Sequence, residues 1–420
     1  MLRDSPQSAE PQLDCRLPVL LLRTNRYPLH HGTLAAIRSL GRAGVEVHAI
    51  LEPGITPAGT SRYLHRCHGW GPPPHLGDSL ARYLDGIATR IGRPTLLIPL
   101  DDAGAIYIAE NAAELKTRFV FPPQWPSTPR MVADKATLLE AGRRNGIAMP
   151  PSRTPATGAE LREAVDVLGL PLIAKWARPW LLPTGLRSTM LVTTLQQAQR
   201  LLARTHDPAS QAAGPLILQR RIPPAGGDWF FHGYFDASSK CLFGGTGRKH
   251  VARPAHAGHT VAGEWVLNPR LERLAHEIVG ALSYTGLVDL DFRLDTDGAD
   301  CSDPYQGTYH LLDFNPRLGA QFRLFQDRQC LDLVRALHLD QSGRGVPRPR
   351  PAPGRTLIVE NQYAQHTLAT FTRPFSTIRR GRRADELAWW AADDPRPFFV
   401  MGKLSLAGAL TRARPGGRRR

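Results

Sequence analysis

Two short segments, 287–292 (Leu-Val-Asp-Leu-Asp-Phe) and 311–315 (Leu-Leu-Asp-Phe-Asn), alternate apolar and polar residues. A period of two belongs to a strand with one buried face, not to a helix. Val288, Leu290 and Phe292 share one face of the first strand, and Asp289 and Asp291 share the other. On the second strand Asp313 and Asn315 point the same way. The turn signals Asp297-Gly298 and Gln306-Gly307 lie between them. The pair therefore reads as a hairpin that carries Asp291 to Asp313 and Asn315. Two carboxylates and an amide oxygen form an all-oxygen set, the ligand chemistry of magnesium completed by phosphates. A solvated strand face offers the same residues. The following Asn315-Pro316-Arg317 favours the metal reading, because proline ends the pairing and presents Arg317 at the mouth of the acid pair.

Upstream, strands are expected at 17–23, 45–50, 95–100 and 119–121, with helices at 32–43, 76–91 and 103–116. Strand and helix in this rhythm predict a parallel, doubly wound sheet. Such sheets bind ligands at the carboxyl ends of their strands. The candidates there are Thr24, Asn25, Arg26 and His30, with Asp101 and Asp102. No Gly-x-Gly-x-x-Gly follows a strand, so a small anionic or amine substrate fits better than a dinucleotide. Ordinary surface is the other reading of the arginine-rich first loop.

A proline-rich linker at 122–129 marks the first domain boundary. A helix is expected at 130–145 with Lys135 inside it. Thr157 to Glu160 and Thr194 to Gln197 read as capping boxes opening two further helices. Strands are expected at 171–175, 188–192, 216–219, 229–235 and 241–245, then a helix at 269–283. Past a second linker at 346–354, a strand at 356–359 and a short helix at 384–392 are expected.

Of the 53 Lys and Arg residues only six are lysines: Lys116, Lys135, Lys175, Lys240, Lys249 and Lys403. A chain that uses arginine almost everywhere keeps lysine mainly where a compact ammonium is needed.

The run Asp313-Phe314-Asn315-Pro316-Arg317-Leu318-Gly319 resembles the Glu-x-Asn-Pro-Arg signature of ATP-grasp enzymes, with Asp313 replacing the usual Glu. Lys135 after the linker, Lys175 ending a Pro-x-x-x-Lys strand, and the apolar strand running to Ile222 extend the resemblance over 130–339. It implies an α/β chain: an N-terminal doubly wound parallel-sheet domain (17–121) followed by a two-subdomain ATP-grasp fold. The small subdomain would span about 130–222 and the large one about 228–339. Residues 1–16 read as a leader, 355–411 as a C-terminal extension and 412–420 as a basic tail.

The resemblance implies ATP and Mg2+, with Mn2+ as an alternative ion. Asp291, Asp313 and Asn315 would hold the metal, and Lys135 and Lys175 the phosphates. Ser188 would belong to the loop over the phosphates, where Gly185 is the only glycine. Gln219 and Ile222 would form the adenine hinge, and Asp228 would meet the ribose. Arg317 would stabilise an acyl phosphate. Lys249, or its neighbour Arg248, would meet the γ-phosphate or the substrate acid, an exposed basic turn being the other reading. The activity implied is a ligase joining a small-molecule carboxylate to an amine. The alternatives are a bicarbonate-using carboxylase and a catalytically degenerate ATP-binding module.

The net charge of +16 raises the question of a polyanionic partner. Its clusters at 379–383 and 412–420 lack the interleaved aromatics that stack bases, so no specific nucleic acid is expected. The longest apolar run, near 17–22, is far short of the ~20 residues a membrane span requires. Five scattered cysteines with no Cys-x-x-Cys point away from a disulfide framework or a cysteine zinc site and towards the cytoplasm. Self-association is left open.

Overall fold

The apolar run Val-Leu-Leu-Leu forms β1 (Val19–Leu22), buried along its whole length as a central parallel strand must be. The computed structural model describes residues 10–183, 185–254, 258–297, 303, 305–370 and 384–413. The expected turn residue Gly298, Cys301, the 379–383 cluster and the tail beyond 413 lie outside the described residues. With β2 (Val47–Ile50), β3 (Arg66–His68), β4 (Thr95–Pro99) and β5 (Phe119–Val120), β1 forms a parallel sheet in the order β3-β2-β1-β4-β5. The doubly wound expectation therefore holds. β3 is additional: Arg-Cys-His carries no alternation to announce it. The helix expected at 103–116 is interrupted at Asn111, whose side-chain amide bonds the Tyr107 carbonyl and closes the helix Asp102–Glu110.

The small subdomain is an antiparallel sheet of β6 (Ser152–Arg153), β7 (Leu172–Trp176), β8 (Thr189–Val192) and β9 (Leu216–Arg220), in the order β6-β9-β7-β8. Two amphipathic helices, Gly158–Leu168 and Leu195–Arg204, bury one side of it. Thr157 and Thr194 cap them as expected. Glu160 and Gln197 reach back one residue further than a capping box requires, to the N–H of Ala156 and Thr193. The single helix expected at 130–145 is two helices, Thr128–Ala133 and Lys135–Arg144. Asp134 separates them because its carboxylate accepts the N–H groups of Ala136 and Thr137, which makes it an N-cap. Lys135 is thus the first residue of a helix, not an interior one.

The large sheet comprises β10 (Asp228–Phe235), β11 (Cys241–Arg253), β12 (His259–Trp265), β13 (Gly286–Asp295), β14 (Thr308–Asn315), β15 (Thr356–Ile358) and β16 (Glu386–Leu387). Its order is β14-β13-β10-β11-β12-β15-β16, antiparallel except for the last pair. One face packs Trp229, Phe231, Leu290 and Phe292 beneath the helix Pro269–Ala281. The other joins Phe230, Leu318 and Phe322 to Val19 and Leu34 of the parallel-sheet domain in one continuous core.

The helix expected at 384–392 is not formed. Glu386 and Leu387 instead pair with Leu357 and Ile358, and the chain then turns so that Glu360 accepts the N–H groups of Trp389 and Trp390. Trp389 is 1% exposed, and its burial outweighs the helix propensity of Ala, Glu and Leu there. The extension is therefore part of the sheet. It also reaches the first domain, where Asp394 meets Arg38 at 3.0 Å with both side chains buried.

Candidate active site

A cleft of about 1960 Å³ opens where the three sheets meet. Its walls come from the carboxyl ends of β1 and β4, the strands β7 and β9, the large sheet, and Asn361, Gln362 and Gln365 of the extension. The hairpin register is the expected one: Asp291 faces Asp313, and Asp289 faces Asn315. Asp289 in turn faces His232 on β10. Two cross-sheet rows result, Asn315–Asp289–His232 and Asp313–Asp291–Phe230.

Three lysines converge on these acids, Lys175 buried and Lys135 and Lys249 partly buried. Lys135 and Lys175 both donate to Asp313 Oδ1, the latter at 3.3 Å, and Lys175 also bonds the Leu312 carbonyl at 2.7 Å. Burial alone would raise the Asp313 carboxyl, but the two ammonium charges outweigh it and hold it at about 2. Burial lowers Lys175 from the usual lysine range. Lys249 meets Asp291 at 2.5 Å. Burial opposes the charge on Lys249, yet Asp291 and the acids around it keep the ammonium protonated. Of the alternatives Lys249 and Arg248, Lys249 lines the cleft. Arg248 stacks over the Trp229 ring at 5.5 Å instead.

Arg317 lines the same cleft and is held by acids outside the expected set. Its Nη1 donates to Asp289 Oδ2 at 2.5 Å, and its Nε stands 3.6 Å from Asp102 of the first domain. Asp289 also receives His232 Nε2 at 3.0 Å. Burial would raise Asp289, but His232 and Arg317 hold it well below the usual carboxylate range. Burial raises Asp102 despite the nearby Arg317 charge. The chain can cross His232 only because residue 319 is glycine: a Cβ there would come within 2.3 Å of the ring.

The remaining candidates line the same cleft. Gln219 is 4% exposed and donates its amide to Ser152 Oγ at 3.0 Å, which leaves the side-chain oxygen as the acceptor. Arg293 donates to Asp228 Oδ1 at 2.7 Å and to the Ile222 carbonyl at 3.3 Å, fixing both. Ser188 gives its carbonyl to Trp176 N–H, anchoring the root of the loop after Lys175. Ile173, Ile222, Phe292 and Leu312 supply apolar walls between the two antiparallel sheets.

Two candidates of the first domain change character. Asp101 gives its carboxylate to Thr24 N–H, Asn25 N–H and Gly104 N–H, so it clasps two loops together. Arg26 lies over the Trp70 ring. Asp102, a sequence candidate, lines the cleft, whereas sequence reasoning missed His232, Arg253, Asn361 and Gln362 there. Arg253 Nη1 is buried without a hydrogen-bond partner among the described residues. Only the unusual density of buried charge could have marked these residues, and burial is not a local pattern.

The donor set fits a divalent ion bound with phosphate. Asp291 and Asp313 sit opposite one another and already require three ammonium groups to be tolerated at this burial. Asn315 donates its amide N–H to the Asp289 carbonyl at 3.0 Å, which leaves its side-chain oxygen as the acceptor atom.

No protein-family model matches the sequence, and no curated protein matches it. Solved structures do resemble it. Carboxyaminoimidazole ribonucleotide synthase from Aspergillus clavatus, solved with ATP, is 14% identical with a TM-score of 0.59, over 85% of this chain and 87% of that one. Biotin carboxylase from Campylobacter jejuni, solved as a β-γ-ATP complex, is 14% identical with a TM-score of 0.58, over 81% and 74%. The biotin carboxylase domain of Hydrogenobacter thermophilus 2-oxoglutarate carboxylase, solved with MgADP and bicarbonate, is 16% identical with a TM-score of 0.57, over 81% and 73%. At these identities the likeness is one of fold.

Proposed function

We propose that this chain, which has the ATP-grasp fold, is an ATP- and Mg2+-dependent ligase that joins a carboxylate to an amine through an acyl phosphate. The observation that carries the reading is the pairing of Asp291 with Asp313 beneath Lys135, Lys175 and Lys249. Opposed, partly exposed acids that share cations suit exchange for a metal-bound polyphosphate.

Asp291, Asp313 and Asn315 would hold the metal, which when bound neutralises charge on the transferring phosphoryl group. Lys135 and Lys175 would move from Asp313 to phosphate oxygens. The Gln219 oxygen would accept from the adenine amino group, and Asp228, fixed by Arg293, would face the ribose. A carboxylate oxygen of the substrate attacks the γ-phosphorus and ADP leaves. The amine nitrogen then attacks the acyl carbon, and phosphate leaves as the amine loses a proton. Lys249, Arg317 and Arg253 would orient the substrate acid and screen the phosphoryl oxygens.

Bicarbonate as the carboxylate is the second reading, favoured by the likeness to structures solved with bicarbonate and with ATP. The test is phosphate release from MgATP against panels of carboxylates and amines, in degassed buffer and with added bicarbonate. Release that needs both a carboxylate and an amine supports the ligase. Release driven by bicarbonate alone supports the carboxylase, and none under any condition supports an ATP-binding module.

Among the described residues no helix is long and apolar enough to cross a membrane. Cys15, Cys67, Cys241 and Cys330 are unpaired, which supports a reducing, cytoplasmic setting.

A further inference from the structure

We propose that the first domain carries a transition-metal site, separate from the cleft, made by Glu46, His48 and His65 and suited to Zn2+. Glu46 directly precedes β2, His48 lies on β2, and His65 directly precedes β3. The three sit at the amino ends of these strands, whereas the cleft lies at the carboxyl ends of β1 and β4.

Glu46 Oε1 is 2.8 Å from His48 Nε2 and 3.6 Å from His65 Nε2. All three ligand atoms lie within 4.8 Å of one another. Tetrahedral zinc with bonds of ~2.0–2.1 Å needs ligand atoms roughly 3.3 Å apart, so a small rotation of the exposed His65, with Glu46 adjusting, completes the site around the buried His48. The backbone is already set, because His65 N–H donates to the Val47 carbonyl at 2.8 Å and ties the loop to β2. Arg93 occupies the other oxygen, Glu46 Oε2, at 2.5 Å, which aims Oε1 at the imidazoles. Two imidazoles and a carboxylate leave a fourth position open to water.

The second shell is what an ion pair alone does not explain. His48 Nδ1 lies 3.0 Å from His68 Nε2, and both rings are buried. A metal on His48 Nε2 puts the remaining proton on Nδ1, which then donates to His68. A ligating histidine is commonly fixed through its other nitrogen in this way. Arg66 and Arg90 add positive charge beside His68, which makes the Glu46 carboxylate the offsetting group.

The experiment titrates Zn2+ into metal-free full-length protein, with excess Mg2+ present to occupy the cleft acids, by competition against a chromophoric chelator. Wild type should bind one Zn2+ that His65→Ala no longer holds. His65 is 56% exposed, so this variant keeps the packing. His68→Ala, which removes no ligand, should weaken the site about 10–100-fold. Zinc binding unchanged in His65→Ala, or absent in wild type, overturns the site. Unchanged affinity in His68→Ala overturns the role of His68 in fixing His48.

Discussion

Arg317 closes on Asp289, one strand away, rather than on Asp313 or Asn315 that precede it in sequence. The contact ties the guanidinium to the His232 row and leaves Nη2 as the donor that neither Asp289 nor Asp102 engages. An arginine held this way by two acids is oriented as the proposed role of meeting the acyl phosphate requires.

Arg317→Lys should therefore leave ATP affinity nearly unchanged and lower kcat on the order of 100-fold, about 2.7 kcal/mol in the transition state. Lysine cannot span Asp289 and Asp102 and also offer a fork. ATP titration beside steady-state phosphate release checks it. Loss of ATP affinity with kcat retained would place Arg317 in the nucleotide site.

Asp313→Asn should abolish turnover with Mg2+ and yet bind ATP more tightly in EDTA. The carboxylate that occupies Lys135 and Lys175 in the unliganded chain competes with phosphate for both. Removing it should improve metal-free ATP binding roughly tenfold, the worth of one charge-assisted hydrogen bond. Weaker metal-free binding would show that Asp313 positions the lysines instead of competing with ATP.

Asp394→Ala should cost about 3–5 kcal/mol, because Arg38 stays buried without its carboxylate. Asp394 also accepts from Ser61 Oγ and Arg62 N–H, so it is the main clasp between the extension and the first domain. The double change Arg38→Met with Asp394→Leu should recover part of the loss. Denaturant unfolding measures both, and a single variant as stable as wild type would refute the clasp.

Acid should destabilise the protein before its carboxylates titrate. His31 is buried against Trp389, and burial together with the charge of His259 lowers it to about 3. Unfolded, the ring takes a proton near pH 6.5; folded, it does not. Stability is thus constant above about pH 6.5 and falls as pH drops below it, by up to ~1.4 kcal/mol per unit for this group. Urea midpoints between about pH 7.5 and pH 5 should show the fall, with a shallower slope in His31→Asn. Equal slopes would remove His31 from the account.

The meeting of Asp291 with Asp313 is readable in the sequence because period-two alternation fixes the face, and a slip of one residue would bury both acids. The rhythm of residues 17–121 is readable for the same kind of reason. His232 and Arg253 are not, since separate sheets must pack before they become neighbours of the acid pair. Asp134 breaks a helix by a side-chain bond that competes with helical pairing, a signal present in the sequence and weaker than the apolar pattern around it. Residues 384–392 misread as helix because the edge of β15 and the slot for Trp389, not local propensity, decide their conformation.

The 356-residue separation of Arg38 and Asp394 bears on how the chain is made. The helix His31–Arg42 emerges from the ribosome early, while every group that receives the Arg38 guanidinium, the Trp389 carbonyl included, is translated near the end. Until then β12 is a bare sheet edge, the kind that pairs with other chains. A premature stop before residue 356 is thus expected to give an aggregation-prone product rather than a trimmed enzyme. Ribosome-arrested chains should show the same dependence, with protease cleavage around residues 31–42 ceasing once residue 394 has cleared the tunnel.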